Sequence, residues 1–262
     1  MGRRVSVIAL LLGVVVAGCA PATPAATTAS PPPAAARTAA PPTTAAASTA
    51  TAAPTATVAT AAATTKLELS IGAPPPEGWR WVVAEYAAGA DEVKEAANQH
   101  GFFWIFFVLK GQTEVTTSAG VKLANAGEGI MVAAREQHSH RYPPQSRVLI
   151  LDVRSANNNP DAFHGGTRVY LSEKIDLKPA PDFKLRIREF TIAQGGANVF
   201  GPVDGSSFLY VPDGALSATA AGGGAAVSVE LGKALSLSVG SSYVLRNPGT
   251  APLRVLAVDV HP

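Results

Sequence analysis

The chain has 262 residues, with 21 Lys and Arg against 19 Asp and Glu, 24 Gly, 21 Pro and a single Cys. One Cys excludes an internal disulfide framework. Three of the cations, Arg3, Arg4 and Arg37, precede Lys66, leaving 18 against 19 anions beyond it; this near-neutral remainder lacks the clustered basic surface that nucleic-acid binding requires.

Residues 1–19 combine two arginines, an apolar run from Val5 to Val16 and a small-residue stretch that ends at Cys19. The run falls short of the ~20 apolar residues of a bilayer crossing, and the layout is that of a secretion signal. Its end, Val16-Ala17-Gly18-Cys19, resembles the lipobox of bacterial lipoproteins. The resemblance implies cleavage before Cys19 and acylation of its sulfur and amine. That gives a membrane partner and an extracytoplasmic, lipid-anchored location; an ordinary signal peptide cleaved nearby is the alternative. Residues 20–65 use Ala, Pro, Thr and Ser, with Arg37 and Val58 as exceptions. Such a segment buries too little apolar surface to fold and is expected to be a disordered tether. At ~3.1 Å per residue it could reach roughly 140 Å.

From Lys66 to Pro262 the ionic stretch Asp91 to Asn98 is predicted helical, and the rest consists of short apolar runs broken by Gly, Pro and Asn. That pattern predicts an all-β sandwich or barrel. Strands are expected at 102–109, 130–133 and 147–153, and again at 208–211, 226–231, 234–239 and 253–260. The two halves repeat: VLILDV (148–153) matches VLAVDV (255–260), and FVLKGQTEV (107–115) lies over YVPDGALSA (210–218), placing Gly111 over Gly214. Gly127 precedes His138 by the same spacing as Gly232 precedes Tyr243. The expected domains are therefore 66–158 and 159–262.

These glycines and spacings resemble the two motifs of the cupin superfamily, carried as two tandem copies. The resemblance implies two tandem cupin-type (jelly-roll) β-barrels after the disordered linker. In cupins two motif-1 His, a Glu and a motif-2 His hold a transition metal. Laid on this chain, those positions fall on Asn98, His100, Trp104 and His138. His140 lies two residues beyond His138 and so on the same strand face. His100, His138 and His140 are thus the candidate ligands for a divalent transition metal (Zn, Mn or Fe) with an open fourth position. The alternative is that His100 ends the helical stretch and His138 is a relict hydrogen-bonded to a neighbour. Trp104, at the former Glu position, is expected to line the cavity and, with Asn98, to contact a small-molecule ligand. The aromatic cluster 102–107 is read as core and inter-barrel interface. In the second copy the same positions fall on Gly201, Val203, Ser207 and Tyr243, so no metal is expected there. His164 and His261 are expected to be exposed.

No Walker loop, C-x-x-C, H-E-x-x-H or G-x-S-x-G is present in the sequence. The leading expectation is a lipoprotein whose first barrel binds a small molecule. The alternatives are a metal-dependent oxygenase- or isomerase-type enzyme, or a non-catalytic structural or partner-binding surface module. Oligomeric state is not readable from the sequence.

Overall fold

The computed structural model describes residues 58–59, 63–72, 77–158, 166–175 and 182–262. These residues fall within one compact unit, Ala53–Pro262. Cys19 with the expected signal, most of the expected tether, and His164 lie outside the described residues. Among the described residues no helix is long and apolar enough to cross a membrane.

The first copy comprises β3 (Trp79–Ala87), β4 (Val93–Asn98), β5 (Trp104–Lys110), β6 (Gln112–Thr117), β7 (Gly120–Asn125), β8 (Gly129–Val132), β9 (His138–Tyr142) and β10 (Arg147–Ser155). The second comprises β12 (Phe183–Ile192), β13 (Ala197–Phe200), β14 (Ser206–Val211), β15 (Ala215–Ala220), β16 (Val227–Glu230), β17 (Lys233–Leu237), β18 (Tyr243–Arg246) and β19 (Leu253–His261). Three further strands are β1 (Val58–Ala59), β2 (Thr64–Gly72) and β11 (Thr167–Leu171). The first barrel pairs a sheet ordered β11-β3-β10-β5-β8 with one ordered β4-β9-β6-β7. The second follows the same plan, β2-β12-β19-β14-β17 against β1-β13-β18-β15-β16. The repeat thus extends to every strand from β3 to β10, which matches β12 to β19 in order. Gly111 and Gly214 occupy the same turn from one sheet to the other in each copy, with φ of 73° and 82°, a region that glycine enters without steric cost.

The long apolar runs are explained by burial on both faces. In β5 every residue from Trp104 to Leu109 is buried. Trp104, Phe106 and Val108 belong to the core inside the first barrel. Ile105, Phe107 and Leu109 join Phe183, Phe208 and Val258 of the second copy in a shared core between the barrels. There Trp81 meets Phe208 edge-on at 5.4 Å, and Trp79 meets Phe183 at 5.7 Å. The aromatic cluster is therefore both core and inter-barrel interface.

Two expectations change. Val93–Asn98 is a strand, because pairing with β9 gives Val93, Glu95 and Asn98 half-buried inward positions that outweigh the helical propensity of its Lys, Glu and Ala. The tether does not end at residue 65: β1 pairs with β13 and β2 begins at Thr64. Two strands pair across the expected division at 158/159. β2 bonds to β12 of the second copy, and β11 bonds to β3 of the first. Each barrel thus takes an edge strand from beyond its own stretch of sequence, which covers an edge that would otherwise be exposed.

Because one apolar core serves both copies, Phe208→Ala is expected to cost about 3–5 kcal/mol and to lower the stability of both barrels together. Chemical denaturation followed by tryptophan fluorescence, whose reporters Trp79, Trp81 and Trp104 lie in the first copy, checks this. A first barrel that melts unchanged would contradict it.

Candidate functional site

β9 lies between β4 and β6, with His138 opposite Asn98 and His140 opposite Glu95 on β4. Strand alternation turns His138, His140 and Tyr142 into the first barrel, where they are 2%, 3% and 0% exposed. His100 lies just past the end of β4. Its ring is laid flat on Trp104, with centroids 3.4 Å apart and planes at 10°. The His100 and His138 centroids are 5.2 Å apart, those of His138 and His140 5.8 Å. Beyond His140 the row of rings continues to Tyr142 at 5.2 Å, which stacks on Tyr86 at 4.2 Å. The fold therefore gathers Asn98, His100, Trp104, His138 and His140 in one place.

Gathering is not coordination. Among the described residues no group of three or more His, Cys, Asp or Glu is placed to hold a metal ion. The three expected ligands are brought together, but His100 and His140 make other contacts. Trp104, standing where the resemblance puts a carboxylate, takes the face of His100. His140 Nε2 faces Glu95 at 3.5 Å. The same stacking removes Trp104 as a platform for a ligand on that face.

The polar atoms of this interior are nonetheless poorly satisfied. His138 Nδ1 is 3.0 Å from the Glu136 carbonyl. A carbonyl only accepts, so Nδ1 carries the proton and Nε2 a lone pair. His138 Nε2, Asn98 Oδ1, Tyr142 Oη and both His140 nitrogens are buried and make no hydrogen bond among the described residues. Each such atom costs about 1–3 kcal/mol of desolvation. A cavity of about 240 Å³ meets this group only at His100 and Trp104; Gln99, Phe102, Asp152 and Arg154 also line it, whereas Asn98, His138 and His140 do not. Asp152 and Arg154 are 2% and 6% exposed. They form a buried ion pair in which Arg154 Nε donates to Asp152 at 2.9 Å. Burial raises the Asp152 pKa, and the Arg154 charge opposes that rise.

Asp152 was not among the sequence candidates, although the repeated endings carry a signal: VLILDV and VLAVDV each place one Asp within an apolar strand. Its counterpart Asp259, 1% exposed, accepts from Arg186 Nε at 3.1 Å and Arg188 Nη2 at 2.9 Å. His261, expected exposed, is largely covered, with Nε2 3.9 Å from Asp259. The core of the second barrel is built around Phe190, Phe200, Leu209, Leu216 and Leu245.

Burial, with a smaller effect of His138, pushes the His140 imidazole down to about 4. The unfolded chain then binds an extra proton between about pH 4 and 6.5, so this group's stability contribution is complete above pH 6.5 and is lost as pH falls toward 4. The full effect is about 3 kcal/mol. His140→Phe should flatten the fall in urea midpoint between pH 7 and 4.5; an unchanged fall would contradict this.

No family model matches the chain, and no curated protein does. Solved structures do. AerE from Microcystis aeruginosa is 13% identical, over 72% of this chain and 91% of that one, with a TM-score of 0.51. The formate complex of Lactobacillus farciminis oxalate decarboxylase is 13% identical over 75% and 86%, with a TM-score of 0.50. A cupin 2 conserved barrel domain protein from Leptotrichia buccalis is 15% identical over 74% and 89%, with a TM-score of 0.39. At such identities the similarity is one of fold. The first two, together with the repeated barrels, give the described part of the chain an all-β fold of two tandem cupin-type jelly-roll barrels.

Proposed function

We propose that the chain is an extracytoplasmic lipoprotein, held to the membrane through acylated Cys19, whose first cupin barrel binds a small polar molecule. The second barrel acts as its packing partner. The observation that carries this reading is the contrast between the two interiors. The second is filled with apolar side chains. The first keeps Asn98 Oδ1, His138 Nε2 and the His140 ring buried without hydrogen bonds among the described residues, and a cavity lies against the neighbouring His100 and Trp104. Buried groups of this kind call for a ligand or ordered water as partner.

Asn98 Oδ1 and the His138 Nε2 lone pair are acceptors, so the preferred ligand presents hydroxyl or amide N–H groups to them. At about 240 Å³ the cavity is smaller than the ~300–1,000 Å³ of drug-sized sites, which favours a small metabolite. His100 and Trp104 form a stacked wall on one side, and the Asp152–Arg154 pair adds oriented charges to the lining.

One feature favours a second reading, a Zn, Mn or Fe ion on the histidines. The Glu136 carbonyl fixes the His138 tautomer and leaves the Nε2 lone pair available to a metal, as in ligating histidines. As arranged the residues do not fit the ion: His100 would have to leave Trp104, and His140 would have to turn from Glu95. No reaction step is assigned to it.

A thermal-shift screen of polyols, sugars and small amides should yield compounds that raise the melting temperature of the protein by about 2 °C or more and leave His138→Phe unmoved. Equal stabilisation of both would place the ligand elsewhere. Elemental analysis of protein purified without chelator should give far less than one metal per chain. Near-stoichiometric metal that disappears in a His100→Ala/His138→Ala double variant would instead establish the second reading.

A further inference from the structure

We infer that the protein has a second ligand site, for a small organic cation, where the end of β3 meets the junction of the two barrels. A cavity of about 450 Å³ there is lined by Glu85, Tyr86, Val93, Thr167, Val169 and Gly232. It shares no lining residue with the cavity at His100. Its walls come from β3, β4 and β11 of the first sheet system and from the turn before β17 of the second. Its volume lies within the ~300–1,000 Å³ typical of small-molecule sites, which favour junctions between domains.

The lining specifies a charge. Glu85 is the one charged side chain among the described residues that line the cavity. It accepts from Arg147 Nε at 2.6 Å through Oε1 and from the Tyr210 hydroxyl through Oε2. A carboxylate offers about four acceptor positions, so about two remain for a ligand. Arg147 also pairs with Asp213 at 2.9 Å, and the Glu85, Arg147 and Asp213 group therefore keeps one net negative charge. Gly232 closes the cavity from the side of the second barrel, where a Cβ would lie 4.0 Å from Glu85 Oε2.

The remainder of the lining specifies the body of the ligand. Tyr86 is held rigid by stacking on Tyr142, with planes at 15°. Val93 and Val169 supply aliphatic wall. Burial and then the Glu95 charge raise the Tyr86 pKa, which keeps the phenol neutral and places a further anion within its field. An aromatic ring, aliphatic walls and a net anionic cluster together select an ammonium group on an apolar body over a neutral or anionic molecule of equal size.

The test uses the full-length protein at pH 7 with benzylammonium and benzyl alcohol, which are nearly isosteric, followed by titration calorimetry and saturation-transfer NMR. Benzylammonium is expected to bind with a Kd on the order of 1 mM, and the alcohol about tenfold more weakly or worse. Val169→Trp, which fills the cavity, should abolish binding. Thr167→Trp, at an exposed rim position, gives the same test if the first variant fails to fold. His138→Phe should leave binding intact, so failure of the proposal in the first barrel does not affect this result. Equal binding of the two probes, absence of benzylammonium binding, binding retained in the cavity-filling variant, or loss in His138→Phe would each overturn the inference.

Discussion

The structure depends on the packing of two five-stranded sheets against each other, one from each barrel. Every central strand of these sheets is covered on both sides, by its own barrel interior and by the shared core. Full burial of a large apolar side chain contributes about 1.5–3 kcal/mol, and the shared core holds Trp79, Trp81, Phe107, Phe183 and Phe208 among many others. Arg147 adds a polar link across it, reaching Glu85 on one side and Asp213 and the Pro212 carbonyl on the other. β2 reinforces the same junction. It hydrogen-bonds to the second copy, while Leu67 reaches the neighbourhood of Gly129 in the first.

With one sheet of each barrel committed in this way, the copies are free to differ inside. Both retain a buried Asp on their last strand, but its partners changed. Asp152 pairs with Arg154 on its own strand, whereas Asp259 draws on Arg186 and Arg188 from β12. Opposite these aspartates in register are Trp104 in the first copy and Ser207 in the second. At the motif-2 position His138 in the first copy corresponds to Tyr243 in the second. The second copy closed its interior with apolar side chains, and its Tyr243 hydroxyl accepts from the Ser238 backbone N–H at 2.9 Å. The first kept imidazoles, an amide and a phenol that its own packing leaves unsatisfied.

Most of this fold was legible in the sequence. The apolar runs at 104–109, 148–153 and 255–260 marked the central strands, and Gly111 and Gly214 marked matching turns, because those features follow from local sterics and burial. Three features were not legible, for a common reason. β4 carries Lys, Glu and Ala, and only pairing with β9 makes it a strand. The exchange of β2 and β11 depends on partners far away in sequence. The contact of His100 with Trp104 depends on how the chain turns between β4 and β5. Spacing correctly put His138 and His140 on one strand face, since alternation is a property of the strand itself. Whether those rings converge on one ion is set by Trp104 and Glu95, which spacing does not reveal. Glu85 went unnoticed because an isolated Glu at a strand end has no local signature.

The most direct test of the central claim, that the first barrel is built around a polar guest while the second is filled by its own side chains, is a high-resolution crystal structure of the protein purified without chelator. Electron density for a small molecule or ordered water within hydrogen-bonding distance of Asn98 Oδ1 and His138 Nε2, with none at the equivalent place near Ser207 and Tyr243, is the predicted result. Side chains of the first barrel turned to satisfy one another, with no such density between them, would contradict the account.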